Sequence, residues 1–191
     1  TLKQPEKALA RFSTFASKFP ENELVTEVQM RRGEILFDTG EFAEANPVFE
    51  AVSAKRDFEL ADVAMLRNAR CLYELGRVNE AAKLYWNVPR EFKKTKHYDA
   101  AILAGAKCYF LEEKYDLART GLEPVMKRNS PEAAEATQWL ARCFLKEGNP
   151  KQALKVAEQG LQKFRGNAYR PELDLVRIDA MYELPQQKEK S

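Results

Sequence analysis

Residues 33–52 read GEILFDTGEFAEANPVFEAV. The stretch is two short helices with a tight turn between them. The first carries Ile35, Leu36 and Phe37, and Gly40 follows in the slot where a left-handed residue ends a helix. The second carries Phe42, Ala45, Val48, Phe49 and Val52, whose spacing of three and four makes one apolar stripe. Neither helix buries that stripe alone, so the unit requires neighbours of its own kind.

The chain supplies them by repetition. The small residue that opens each second helix recurs at Ala8, Ala45, Ala81, Ala118 and Ala153, in steps of 37, 36, 37 and 35 residues. Four residues later stand Phe12, Phe49, Tyr85, Leu122 and Ala157. The turns are Thr39-Gly40-Glu41-Phe42, Leu75-Gly76-Arg77-Val78, Glu113-Lys114-Tyr115 and Glu147-Gly148-Asn149-Pro150. The first helices share a small residue at Gly33, Ala69, Ala106 and Ala141. A period held over four copies marks a repeat architecture.

This pattern resembles the tetratricopeptide repeat family over nearly the whole chain. That family pairs a helix A bearing a small residue with a helix B bearing Ala-x3-aromatic, across a turn that often holds Gly. Gly33…Gly40…Ala45-x3-Phe49 and Ala69…Gly76…Ala81-x3-Tyr85 follow it. The later copies depart from it: Glu113 replaces the turn glycine and Ala157 the aromatic. Pro47 and Pro124 fall within B helices, where each removes a backbone donor and is expected to bend the helix. The resemblance implies an all-α fold, a right-handed superhelical solenoid of antiparallel helix pairs. About four full repeats are expected, at 23–54, 59–89, 98–129 and 131–164, after a partial repeat at 5–20. A capping helix at 168–184 closes a single domain spanning 1–184, and a polar tail occupies 185–191.

Local signals add detail. Ser130-Pro131 and Asn149-Pro150 both read as an N-cap followed by Pro at the first helical position. Residues 90–98, REFKKTKHY, form the longest irregular connection, a solvated basic loop bearing Arg90, Lys93, Lys94 and Lys96. The end helix carries Leu173, Leu175, Val176, Ile178, Ala180 and Met181, with Glu172, Asp174, Arg177 and Asp179 expected on a polar outer side. Residues 5–19 read as a B helix whose A helix is absent, as in a fragment or processed chain, and its apolar face is expected to support self-association.

Composition narrows the function classes. A formal net charge of +2 argues against a dedicated nucleic-acid binder. No apolar run approaches the ~20 residues of a membrane span. Cys71, Cys108 and Cys143 each lie two residues after the small residue of helix A, in phase with Ile35. That slot is apolar and buried, so these cysteines are expected as core rather than as a disulfide or metal cluster. The single histidine, His97, has no second histidine or carboxylate cluster to act with. No Gly-rich phosphate loop, HExxH, CxxC or Ser/His/Asp set is present. The chain is therefore read as non-enzymatic, with no cofactor and no metal.

The family places its A helices on the concave side, and this implies a partner-binding groove. Read off at fixed offsets from Gly33 and its equivalents, the groove residues are Met30, Phe37, Leu66, Arg70, Tyr73, Leu103, Lys107, Phe110, Gln138 and Arg142. Arg70, Lys107 and Arg142 sit one repeat apart among aromatic and apolar side chains, which suits a peptide with an acidic group and apolar anchors. The paired Lys and Asn of the family's carboxylate clamp are not matched. The expected function is a protein–protein interaction scaffold. The alternative is an accessory or spacer repeat domain of a longer, possibly enzymatic, bacterial envelope protein. The phrase Phe12-x2-Phe15-x3-Phe19-Pro20 resembles bacterial envelope tetratricopeptide proteins and implies a periplasmic or envelope location, with the cytoplasm as the alternative.

Overall fold

The computed structural model describes residues 4–188. It contains α1 (Pro5–Lys18), α2 (Val25–Asp38), α3 (Phe42–Ser53), α4 (Ala61–Glu74), α5 (Val78–Glu91), α6 (Tyr98–Leu111), α7 (Tyr115–Lys127), α8 (Ala133–Lys146), α9 (Pro150–Lys163) and α10 (Arg170–Lys188). Among the described residues there is no β-strand, so the fold is all-α. Among the described residues no helix is long and apolar enough to cross a membrane. Two compact units divide the chain, residues 1–97 with α1–α5 and residues 98–191 with α6–α10. Within each unit every helix packs on the next in sequence, which is the nearest-neighbour logic of a repeat fold.

The turn inside each helix pair is the same hydrogen-bonded motif four times. After α2, the Gly40 N–H donates to the Phe37 carbonyl (3.1 Å) and the Glu41 N–H to the Leu36 carbonyl (2.8 Å). This pairing satisfies the last carbonyls of a helix around one left-handed residue. Gly76 and Gly148 repeat it after α4 and α8, with φ of 76° and 70°. Glu113 repeats it after α6 without glycine, at φ 58°. The substitution that loosens the sequence pattern therefore leaves the turn intact and places a side chain where glycine is favoured.

The core of the first unit gathers around Phe49, which is fully buried with Met30, Leu36, Ala45, Val52 and Cys71. Removing a phenylalanine side chain from water contributes about 2–3 kcal/mol. Gly33 is needed beneath it: a Cβ there would lie 2.8 Å from Phe49 Cε1. The equivalent residues Ala69, Ala106 and Ala141 are all fully buried. Cys71, Cys108 and Cys143 are buried, at the core slot the repeat phase assigns them.

Three local expectations are corrected. Ser130 does not cap α8, which begins at Ala133 after Glu132, and the buried Ser130 hydroxyl finds no hydrogen-bond partner. The Ala133 N–H turns back to the Ser130 carbonyl instead, so Pro131 lies in a turn that precedes the helix. The outer side of α10 is mixed rather than polar: Glu172 and Asp179 are exposed as expected, but Leu175, Ile178, Met181 and Tyr182 are also 59, 52, 51 and 72% exposed, while Leu173, Val176 and Ala180 face inward. Helix α10 also continues to Lys188, so of the polar tail only 189–191 lie outside the described residues. Asn149, by contrast, caps α9 as read, accepting from the Gln152 N–H with Pro150 first in the helix. Helices α3, α5 and α7 continue past Pro47, Pro89 and Pro124.

Candidate functional site

The groove residues separate by unit and by burial. Met30, Leu103 and Gln138 are only 2, 5 and 5% exposed, so their side chains serve packing between helices and offer a partner little surface. Phe37 is half-buried within its own repeat, where its ring meets Phe42 at 5.3 Å and Phe49 at 6.4 Å. Arg67, which lies outside the offsets chosen from sequence, stacks over Phe37 at 4.9 Å. Leu66 and Tyr73 are half-buried. Arg70 lies over the Tyr73 ring at 5.0 Å and is already neutralised by Glu74 at 2.5 Å.

The second unit holds a denser cluster. The rings of Phe110 on α6 and Trp139 on α8 meet edge to face, with centroids 5.0 Å apart. Two cations lie against them. The Lys107 ammonium is 5.6 Å from the Trp139 centroid, and the Arg142 guanidinium is 4.7 Å from Trp139 and 5.7 Å from Phe110. Such contacts favour a guanidinium fixed over an aromatic face.

The two cations differ in what else they do. Lys107 donates to Glu135 at 2.7 Å. Glu135 also accepts from the Tyr169 hydroxyl at 2.6 Å and from Trp139 Nε1 at 3.3 Å, so both its carboxylate oxygens are engaged. Burial alone would disfavour the Glu135 carboxylate. The hydrogen bonds from Lys107 and Tyr169 and the lysine charge more than offset it, and its pKa is lowered. The same bond, with burial and the Glu135 charge, pushes the Tyr169 hydroxyl up to about 12. Arg142 is exposed and, among the described residues, has no carboxylate partner. Of the three repeat-spaced cations, two are thus spent internally.

Beside Arg142, α8 and α10 bound a groove of about 340 Å3. Its α8 wall includes Arg142, Leu145 and Lys146, and its α10 wall sets Leu175 and Tyr182 among three acids, Glu172, Asp179 and Glu183. The sequence offsets missed Trp139, Glu135 and Tyr169. At the Trp139 phase the other repeats carry Arg31, Arg67 and Ala104, so no periodic aromatic advertises it. A lone tryptophan in a phase otherwise basic or small was the available signal. Among the described residues, no group of three His, Cys, Asp or Glu side chains is placed to hold a metal ion.

Helix pairs repeated in tandem, with the same capped turn between each pair and a small residue beneath the second helix, define the α-helical repeat proteins. A sequence profile of the tetratricopeptide repeat matches residues 30–86 and 109–168, more than half of the chain. The chain belongs to the tetratricopeptide repeat family. No curated protein matched it. Solved structures similar to it include a tetratricopeptide repeat protein from Parabacteroides merdae, at TM-score 0.67 and 15% identity, covering 98% of this chain and 76% of that one. Another is YrrB, described as a tetratricopeptide repeat protein with an unusual peptide-binding site, at TM-score 0.66 and 16% identity, covering 98 and 85%. A third is the kinesin light chain repeat structure from Podosopora anserina, at TM-score 0.65 and 20% identity, covering 88 and 91%. At these identities the likeness speaks to the fold.

Proposed function

We propose that this chain is a non-enzymatic interaction scaffold whose partner segment docks on the A-helix face of the second unit. The observation that carries the reading is Arg142: an exposed guanidinium, held over Trp139 and Phe110, without a carboxylate of its own, at the edge of the α8–α10 groove. A partner carboxylate would complete it in bidentate fashion. Trp139 and Phe110 would receive an apolar side chain, and Trp and Arg are the residue types that most often dominate an interface. Arg70 and Lys107, already paired, contribute less than their spacing suggests. The partner is thus a peptide or protein segment with an acidic residue next to an apolar anchor, and that acid must face Arg142 on the α8 side, because Glu172, Asp179 and Glu183 line the α10 side. Self-association through residues 5–19 is a separate property. The bacterial envelope is the compartment we assign from the Phe12–Pro20 phrase, and cell fractionation checks it.

The test is capture of binding proteins by the intact chain, by Arg142→Glu and by Arg70→Glu. Arg142→Glu should lose the partner while keeping its helical circular dichroism, and Arg70→Glu should retain it. Equal capture by Arg142→Glu and the unmutated chain would remove the site from this face.

A further inference from the structure

Helices α1 and α10 each leave open a face that the other helices close. The slot of Ala8 and Phe12 in α1 is the one filled by Ala45 and Phe49, by Ala81 and Tyr85, and by Ala118 and Leu122. Those six residues are at most 6% exposed. Ala8 and Phe12 are only half-buried, and no residue of α1 is buried. Phe19, just beyond the helix, is 52% exposed. Helix α10 shows the converse. It starts in register with α4 and α8, so Ile178 stands ninth in its helix, as do Ala69 and Ala141. The alanines are fully buried, whereas Ile178 is half exposed in one stripe with Leu175, Met181 and Tyr182.

We infer that α1 of one copy seats on the exposed stripe of α10 of a second copy, giving a head-to-tail association of identical chains. Charge supports this pairing over α10 with α10. Around the α10 stripe lie Glu172, Asp174, Asp179 and Glu183, of which Asp174 is paired with Arg177. Two such faces would repel each other. Helix α1 carries Lys7, Arg11 and Lys18 against a single acid, Glu6. Shape supports it as well. Because Ile178 fills the slot that is small elsewhere, the covering helix must offer small side chains of its own. Helix α1 offers Ala8 and Ala16, one turn to either side of Phe12. A contact between two different faces leaves one of each free at the ends, so the assembly extends rather than closes unless rotation returns it on itself.

Sedimentation velocity on the intact chain across a wide concentration range tests this, with Ile178→Asp and Lys7→Glu/Arg11→Glu as variants. The substituted positions are half-exposed or exposed, and circular dichroism confirms that each variant folds. The unmutated chain should show species growing with concentration, and each variant alone should remain monomeric. An equimolar mixture of the two variants should give a dimer and nothing larger, because only one complementary pair of faces survives. A monomeric unmutated chain would overturn the inference. So would two monomeric variants that fail to pair, or association lost in Ile178→Asp and kept in Lys7→Glu/Arg11→Glu, which is the signature of α10 pairing with itself. Leu175 and Tyr182 belong both to the α10 stripe and to the α8–α10 groove, so a seated α1 covers part of that groove, whereas Ile178 does not line it. Monomeric Ile178→Asp should therefore keep or gain partner capture, so failure of the groove reading and failure of the α1–α10 reading are told apart.

Discussion

Glu113 occupies a left-handed backbone position, φ 58°, in a turn that uses glycine in the three equivalent places. A side chain there costs about 1–2 kcal/mol through its Cβ. Glycine removes that cost but is more mobile in the unfolded chain, which takes back roughly 0.5–1 kcal/mol. Glu113→Gly should therefore stabilise the protein by ~0.5–1 kcal/mol, a rise of about 1–4 °C in melting temperature. An unchanged or lower melting temperature would show that the turn is not strained. The cysteines give a second prediction at this scale. Burial is the main cause that pushes the Cys71 thiol up to about 11 and the Cys143 thiol up to about 12, from an ordinary value of 9.0. The folded chain keeps protons that the unfolded chain loses above that value. Their contribution to stability is full below pH 9 and is lost as pH rises toward 11 and 12. A thiol reagent at pH 8 should leave the native chain unlabelled and label all three cysteines in denaturant. Fast labelling of native protein would contradict the burial.

At the scale of elements, Glu135 ties α6 to α8 and to the turn before α10 through Lys107 and Tyr169. Its lowered pKa means that its contribution is present above the ordinary carboxylate range and is lost as pH falls through the folded-state value. The Lys107 side chain is 40% exposed, so the pair is discounted for solvent, and Glu135→Gln should cost about 1 kcal/mol at pH 7. The gap in melting temperature between Glu135→Gln and the unmutated chain should close as pH drops below 4.5. A gap independent of pH would assign the effect to packing. This network was not legible in the sequence, because it joins residues whose phases in the repeat differ. What was legible followed the period. The apolar stripes, the small slot at Gly33 and its equivalents and the three core cysteines all recur, and recurrence separates them from chance. The α8 start was misread because Ser130-Pro131 satisfies a local rule while the chain still turns through Glu132. The outer side of α10 was misread for a related reason. Its acids do lie among the outward positions, but so do Leu175 and Ile178, and a helix face is fixed by what packs on it.

For the molecule as a whole, the question is how far a local change is felt. Each unit has its own buried core, around Phe49 in residues 1–97 and around Leu122, Leu140 and Leu173 in residues 98–191. Stability built from neighbouring helix contacts behaves as a sum of local terms and decays with distance along the repeat. The chain carries a reporter for each part, since its two tryptophans are Trp86 in the first unit and Trp139 in the second. Gly33→Ala drives a methyl group into the Phe49 ring, 2.8 Å away, and overpacking of that kind costs about 1–3 kcal/mol. The prediction is read in two single-tryptophan backgrounds, Trp86→Phe and Trp139→Phe, unfolded in urea. Gly33→Ala should lower the midpoint reported by Trp86 and move the one reported by Trp139 much less. Equal shifts at both reporters would mean that the chain unfolds as one cooperative body. In that case the cost of a single methyl group beneath Phe49 would be borne by all the described helices rather than by the repeat that contains it.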